Sequence, residues 1–264
     1  MNTNDRLRQI VVLVSAIVAI IGAVIGNGAV GGVPIAEASG GALSTDATPV
    51  APDGPAFAIW SVIYTGLIAY TIWQLLPAQK SAERHRRLGY PIALSLILNA
   101  AWILSVQLDL LWLSVPIIIA LLVVLIWAFR VILAHRPRNL VDTIVTDGTM
   151  GLYLGWVTIA TLVNIAAVLA AIGFDGLGLS IDLWGVLLIA VAGVIGVGLA
   201  LWNRGRLAPS AALSWGIAWV AYGRLTGDLI SVPTAITAIV VVAVILLVTI
   251  AARIKAPKPL PAQA

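Results

Sequence analysis

Three stretches of the sequence carry aromatic and amide side chains at helical spacing. In residues 52–73, PDGPAFAIWSVIYTGLIAYTIW, the positions Phe57, Trp60, Tyr64 and Thr71 fall on one helical face. In residues 98–102, LNAAW, Asn99 and Trp102 stand three apart. In residues 153–164, YLGWVTIATLVN, the positions Tyr153, Trp156, Ala160 and Asn164 share a face, with Thr161 beside them. Indole and phenol rings offer flat apolar surfaces with a polar edge, and carboxamides add donors and acceptors. Such a set suits a flat, mostly apolar ligand held by a few polar contacts. The same residue types also pack and hydrogen-bond helices to one another inside membranes. The sequence leaves both uses open, and for Asn99 it favours packing.

Other chemistries find little support. There is no Cys, and the two histidines, His85 and His135, stand in basic stretches outside the apolar runs. No metal site and no phosphate-binding glycine loop is visible. Lys80, Lys255 and Lys258 all lie outside the apolar runs, which excludes a retinal-type Schiff base. A binding role is therefore expected ahead of an enzymatic one, with no catalytic residues and no required cofactor.

The elements that must position these residues follow from composition. Of 264 residues, 61% are hydrophobic and 10% are charged, against about a quarter charged in soluble domains. Apolar runs of bilayer-crossing length recur near 9–30, 55–77, 90–108, 111–134, 144–172, 183–202, 209–226 and 232–252. Runs such as IVVLVSAIVAIIGAVIG do not alternate, so helices and not barrel strands are expected. The fold class is all-α, a polytopic transmembrane helix bundle of about eight spans. The first run is long and lacks a small-residue cleavage pattern, so it reads as a retained span.

Basic residues separate cleanly under this threading. Fourteen of the fifteen, namely Arg6, Arg8, Lys80, Arg84, Arg86, Arg87, Arg130, Arg136, Arg138, Arg204, Arg206, Arg253, Lys255 and Lys258, fall on the N-terminal side, and only Arg224 on the other. That asymmetry places both termini in the cytoplasm, with the chain in a cell membrane of bacterial type. It also accounts for the net charge of +4 without nucleic acid. The outer loop 31–54 holds no Lys or Arg and is rich in Gly, Ala, Ser, Thr and Pro; loops of that length are commonly lids. Trp73, Trp112, Trp127, Trp184 and Trp202 sit near span ends, where headgroup anchoring is expected. The seventh run is the shortest and holds Ser214, Trp215, Trp219 and Tyr222. Arg224 and Asp228 follow and are expected to pair at the outer surface. Asp147, about one turn inside the fifth run, is expected to be hydrated or paired with an arginine. It is also the residue on which an alternative function, a proton-coupled secondary transporter of a small hydrophobic solute, would rest.

The three motifs together resemble the tryptophan-rich sensory protein family, also called translocator protein (TspO) or peripheral benzodiazepine receptor. PDGPAFAIWSVIY is similar to that family's Pro-rich turn followed by spaced Phe, Trp and Tyr. LNAAW looks like its Leu-Asn-x-x-Trp, and YLGWVTIATLVN like its Tyr-Leu-x-Trp-x-x-x-Ala-Thr-x-x-Asn. The resemblance covers roughly residues 9–172. It implies a five-helix TspO-like membrane domain, residues 1–175, with a pocket under the lid loop 31–54. Residues 176–264 then supply three additional transmembrane helices and a cytoplasmic tail. By motif match, Trp60, Asn99, Trp156 and Ala160 fall at the family's ligand-contacting positions, and Asn164 at the motif's end. The resemblance implies a receptor or carrier whose partners are a hydrophobic small molecule, porphyrin or sterol-like, the lipid bilayer, and a second copy of the chain in a homodimer. One departure stands out. The family's turn is usually Pro-Pro-Gly-Trp, and here it is Pro-Asp-Gly-Pro, so one lid aromatic is absent.

Overall fold

The structure, a computed structural model, describes residues 3–29 and 31–256; Lys258, counted above among the basic residues, lies outside them. The long helices are α1 (Thr3–Gly26), α2 (Ile59–Leu75), α3 (Glu83–Gln107), α4 (Leu111–Ala134), α5 (Thr149–Ala171), α6 (Ile181–Trp202), α7 (Leu207–Thr226) and α8 (Val232–Lys255). No strand occurs among the described residues. All but α7 are long and apolar enough to cross a membrane, α2 together with the turn from Gly54 that leads into it. Helix α7 carries serines, tryptophans, a tyrosine and an arginine, yet it runs the length of the bundle. Arg206, just before it, meets Asp147 at one end, and Arg224, in its last turn, meets the 45–48 loop at the other.

The element boundaries show what hydropathy misses. Helix α3 begins at Glu83, well before the apolar run near 90, so Arg84, His85, Arg86 and Arg87 are helical and not loop residues. His85 is buried there instead of standing in a basic loop. The charged first turns persist because they find partners: Arg84 pairs with Asp142, and Arg86 with Asp5 at 2.6 Å. Before α2 the chain forms a tight 3-10 turn, Gly54–Ala58, opened by Asp53 and Pro55, and Phe57 sits on that turn. Before α5 it widens into a π-helical stretch, Thr143–Gly148, a distortion often found at functional sites.

Five helices close a ring. Helix α1 packs on α3, α3 on α4, α4 on α5, α5 on α2, and α2 on α1. The last three form a second layer: α7 lies along α5, α8 along α7, and α6 along α8. Close approach of α5 and α7 depends on Gly151 and Gly155, four residues apart. A Cβ added at Gly155 would stand 2.0 Å from the carbonyl oxygen of Pro209. Small residues at this spacing let helix backbones meet inside a membrane.

The two ends of the bundle differ in charge. At the basic end, Asp147 is gripped by Arg84 from the ring and by Arg206 from the second layer, the latter at 2.6 Å. Arg84 also reaches Asp142, whose carboxylate accepts from Thr146. The arginine-paired expectation for Asp147 is therefore the one realised. Asp142 is buried in the same cluster. At the loop end, residues 31–53 fold over the ring. Ser39 Oγ donates to the Val106 carbonyl, and Gln107 Oε1 accepts from Val33 N.

A candidate ligand site at the loop end

Beneath this loop, inside the five-helix ring, is a cavity. Seven of the nine residues singled out from the sequence line it: Phe57, Trp60, Asn99, Trp102, Trp156, Ala160 and Asn164. Tyr64 and Tyr153 lie just outside. Tyr64 packs against Trp60 with ring centroids 5.6 Å apart, and Tyr153 meets the same indole edge-on at 5.9 Å. Thr71, placed on the same face by spacing, is buried toward the other end of α2. Its hydroxyl donates to the Leu67 carbonyl, away from the cavity. Residues fourteen apart share a face but lie about 21 Å apart along the helix axis, which carries Thr71 below the cavity floor.

The walls are aromatic and set on edge. Phe57 meets Trp156 at 5.8 Å and 80°, and Trp60 meets Trp156 at 6.2 Å and 82°. Hydrogen bonds then separate residues with a packing role from those with free polar atoms. Asn99 Nδ2 donates to the Tyr64 hydroxyl at 2.6 Å, tying α3 to α2. Asn164 Oδ1 accepts from Trp102 Nε1 at 3.1 Å, and its Nδ2 donates to Ser114 Oγ at 2.9 Å, tying α5 to α3 and α4. Trp156 differs. It is 2% exposed, and its Nε1 has no partner. A buried N–H left unpaired costs about 1–3 kcal/mol, so an acceptor entering beside Trp156 gains that bond without breaking another.

The void between the lining side chains totals about 730 Å³ with the open mouth included. The site is a slot roofed by the loop.

The loop supplies the roof and is held by residues the sequence reading did not select. Leu43, Ser44, Thr48, Ala51 and Pro52 line the cavity from above, and Ile118 and Leu121 of α4 from the side. Arg224 was expected to pair with Asp228 at the surface. It is instead 1% exposed and donates to the carbonyls of Thr48 at 2.9 Å and Thr45 at 2.6 Å. The carbonyls of an irregular loop need donors once the loop is buried, and an arginine fork supplies several at once. Trp215 Nε1 donates to the Ala56 carbonyl at 2.9 Å, and Asp53 N donates to the Trp219 carbonyl at 3.3 Å. Helix α7 thus braces the turn that carries Phe57. Within the loop, Ser44 Oγ donates to Asp46 at 2.6 Å, which holds that carboxyl below the ordinary carboxylate range. The only sequence signal for this bracing was the lone basic residue on the outer side.

The family described as TSPO-like protein matches residues 10–252, nearly the whole described chain. The chain belongs to the TSPO-like protein family. The match includes the last three helices, beyond the stretch near 9–172 that carries the motif resemblance. No curated protein and no solved structure matches the chain. Membership and the run of apolar helices make this TSPO-like protein a multi-pass membrane protein.

Proposed function

We propose that this TSPO-like protein is a membrane receptor or carrier that binds a planar, hydrophobic, porphyrin-like ligand in the aromatic slot under its loop. The observation that carries the reading is the unpaired, buried Trp156 Nε1 on a cavity walled by Phe57, Trp60 and Trp102. The aromatic side chains that line the cavity offer apolar surface to a flat ligand, and one free donor fixes its orientation. Because the loop roofs the slot, a macrocycle enters only as residues 42–52 move outward, so binding and loop opening are coupled. A sterol-like ligand would use the apolar walls but not the stacking faces. Orientation follows the charge rule: the end bearing Arg84, Arg138, Arg204 and Arg206 faces the cytoplasm, and the slot opens on the opposite side.

The transport alternative requires a carboxylate free to exchange protons. Asp147 is held between two guanidinium groups, which favours a structural role for it.

The test is a titration of the detergent-purified protein with protoporphyrin, followed by quenching of Trp fluorescence, beside Trp60→Phe and Trp156→Phe. Saturable quenching is expected, with affinity lowered about three- to tenfold in each variant, the value of one aromatic contact or hydrogen bond. Binding that is absent, or unchanged in both variants, overturns the reading.

A further inference from the structure

A second opening lies between α5 and α6, consecutive helices that touch only sparingly. It is the roomier of the two, with a void of about 1470 Å³ against about 730 Å³ for the aromatic slot, open mouths included. It runs along α5 from Ala170 to Thr158 and along α6 from Ile181 to Ile195. At about 1.5 Å per residue these stretches are roughly 18–21 Å long. That is somewhat more than half of a hydrocarbon core about 30 Å thick, the depth of one leaflet. Ala166, Ala170 and Gly176 leave the width. The hydroxyls of Thr158 and Thr161 turn back to the Leu154 and Val157 carbonyls at 2.7 Å, so neither adds a free polar atom to the wall.

The mouth, at the loop end, has a different character. Asp175 stands there and accepts from Leu177 N at 2.9 Å, and no Lys or Arg lines the groove. Thr48 also lines it; the residue is 3% exposed and its Oγ1 has no partner. Its backbone is fixed by Arg224, so the hydroxyl is a positioned, unused donor.

We propose that this groove is a lipid site. It holds one acyl chain of a zwitterionic phospholipid from the loop-side leaflet, with Thr48 Oγ1 donating to an ester oxygen near the head. A groove that opens sideways between membrane-crossing helices, with apolar walls and the depth of a leaflet, fits a single hydrocarbon chain. The mouth presents the Asp175 carboxylate, and the nearby Arg224 guanidinium is buried behind Thr48 and already bound to loop carbonyls, which disfavours an anionic head. Thr48 lines both openings, so the lipid chain is separated from the aromatic slot by one layer of α5: Leu162 and Ala166 face the groove, Val163 and Ala167 the slot.

The experiment uses the whole chain in nanodiscs doped with phosphatidylcholine that carries a diazirine midway along one acyl chain. Cross-links are mapped by mass spectrometry. They are expected to concentrate on Leu162, Ala166, Leu188 and Val191. Their yield is expected to fall several-fold in Ala166→Phe and in Leu188→Trp, which fill the groove from opposite walls and leave the chain no room to pack there. Cross-links spread evenly onto outward-facing Val194 and Leu247, or a yield unchanged in both variants, overturn the proposal. Should one variant misfold, the wild-type map and the other decide. Competition by phosphatidylglycerol equal to that by phosphatidylcholine overturns the head assignment. Protoporphyrin titration of the same variants is expected to match wild type, so failure of the lipid site and failure of the aromatic site read out separately.

Discussion

At the scale of single residues, the site divides by hydrogen bonding. Trp102 and Trp156 look equivalent in sequence, each three residues from a motif neighbour on an aromatic face. In the fold, Trp102 gives its N–H to Asn164, and Trp156 gives its to nothing. The consequences of mutation differ accordingly. Asn164→Leu strands the Trp102 N–H and removes the donor to Ser114, and is expected to cost about 1–3 kcal/mol of stability, read as a lowered Tm in detergent. Trp156→Phe breaks no internal hydrogen bond and leaves an aromatic ring in place. It is expected to lower protoporphyrin affinity while Tm moves little. A fall in Tm for Trp156→Phe equal to that for Asn164→Leu would make Trp156 a packing residue as well.

At the scale of elements, α5 serves three neighbours with three faces. Tyr153, Trp156, Ala160 and Asn164 turn to the ring, Gly151 and Gly155 to α7, and Thr158, Leu162 and Ala166 to the groove beside α6. The glycine face has no slack. A methyl at Gly155 would collide with backbone, which cannot swing aside as a side chain can. Gly155→Ala is expected to destabilise by about 1–3 kcal/mol, the usual cost of overpacking. It is also expected to weaken ligand binding, because α7 braces the Phe57 turn. A thermal melt and a quenching titration on the same sample check both. Arg224→Ala tests the loop alone: with the Thr45 and Thr48 carbonyls left without a donor, the roof loosens. Because a macrocycle enters only as this roof moves outward, protoporphyrin affinity is expected to rise about tenfold, the cost of one or two charged hydrogen bonds no longer broken on opening, with the helical circular dichroism unchanged.

At the scale of the whole molecule, one ionic cluster ties the second layer to the ring. Asp147 accepts from Arg84 and Arg206, residues more than a hundred positions apart in sequence. Asp147→Asn leaves Arg84 with Asp142 alone, and Arg206 without that pair. Breaking such a cluster is expected to cost about 3 kcal/mol, measured as a drop in Tm. Ligand affinity should stay near wild type, since the cluster lies at the opposite end from the slot. A proton-coupled transporter would behave differently, losing pH-driven uptake in Asp147→Asn while keeping its fold. The orientation of the bundle can be read directly because the chain has no Cys. A single Cys in Ser44→Cys is expected to react with an impermeant maleimide on intact cells, and one in Arg204→Cys only after the membrane is opened. The reverse pattern would invert the charge-based orientation.

The sequence by itself determined the class of the molecule, because composition and run length are local properties. Apolar runs of bilayer length require helices, and the position of each basic residue relative to those runs sorts the loops to two sides. It also determined which aromatic and amide residues share a face over a few turns, since a helix repeats every 3.6 residues. Seven of those nine residues do meet around one cavity. Three things were left to the tertiary structure. The first is the start of α3, a charged helical turn whose Arg84 and Arg86 find Asp142 and Asp5 opposite them. The second is the fate of Arg224, whose partners are loop carbonyls nearly two hundred residues away, invisible to any count of charges. The third is which polar side chains are used up and which remain free. That depends on partners brought in from other helices, so Asn99, Trp102 and Asn164 found theirs, and Trp156 and Thr48 did not. Spacing along a chain fixes a direction on a helix, and only packing decides what stands in that direction.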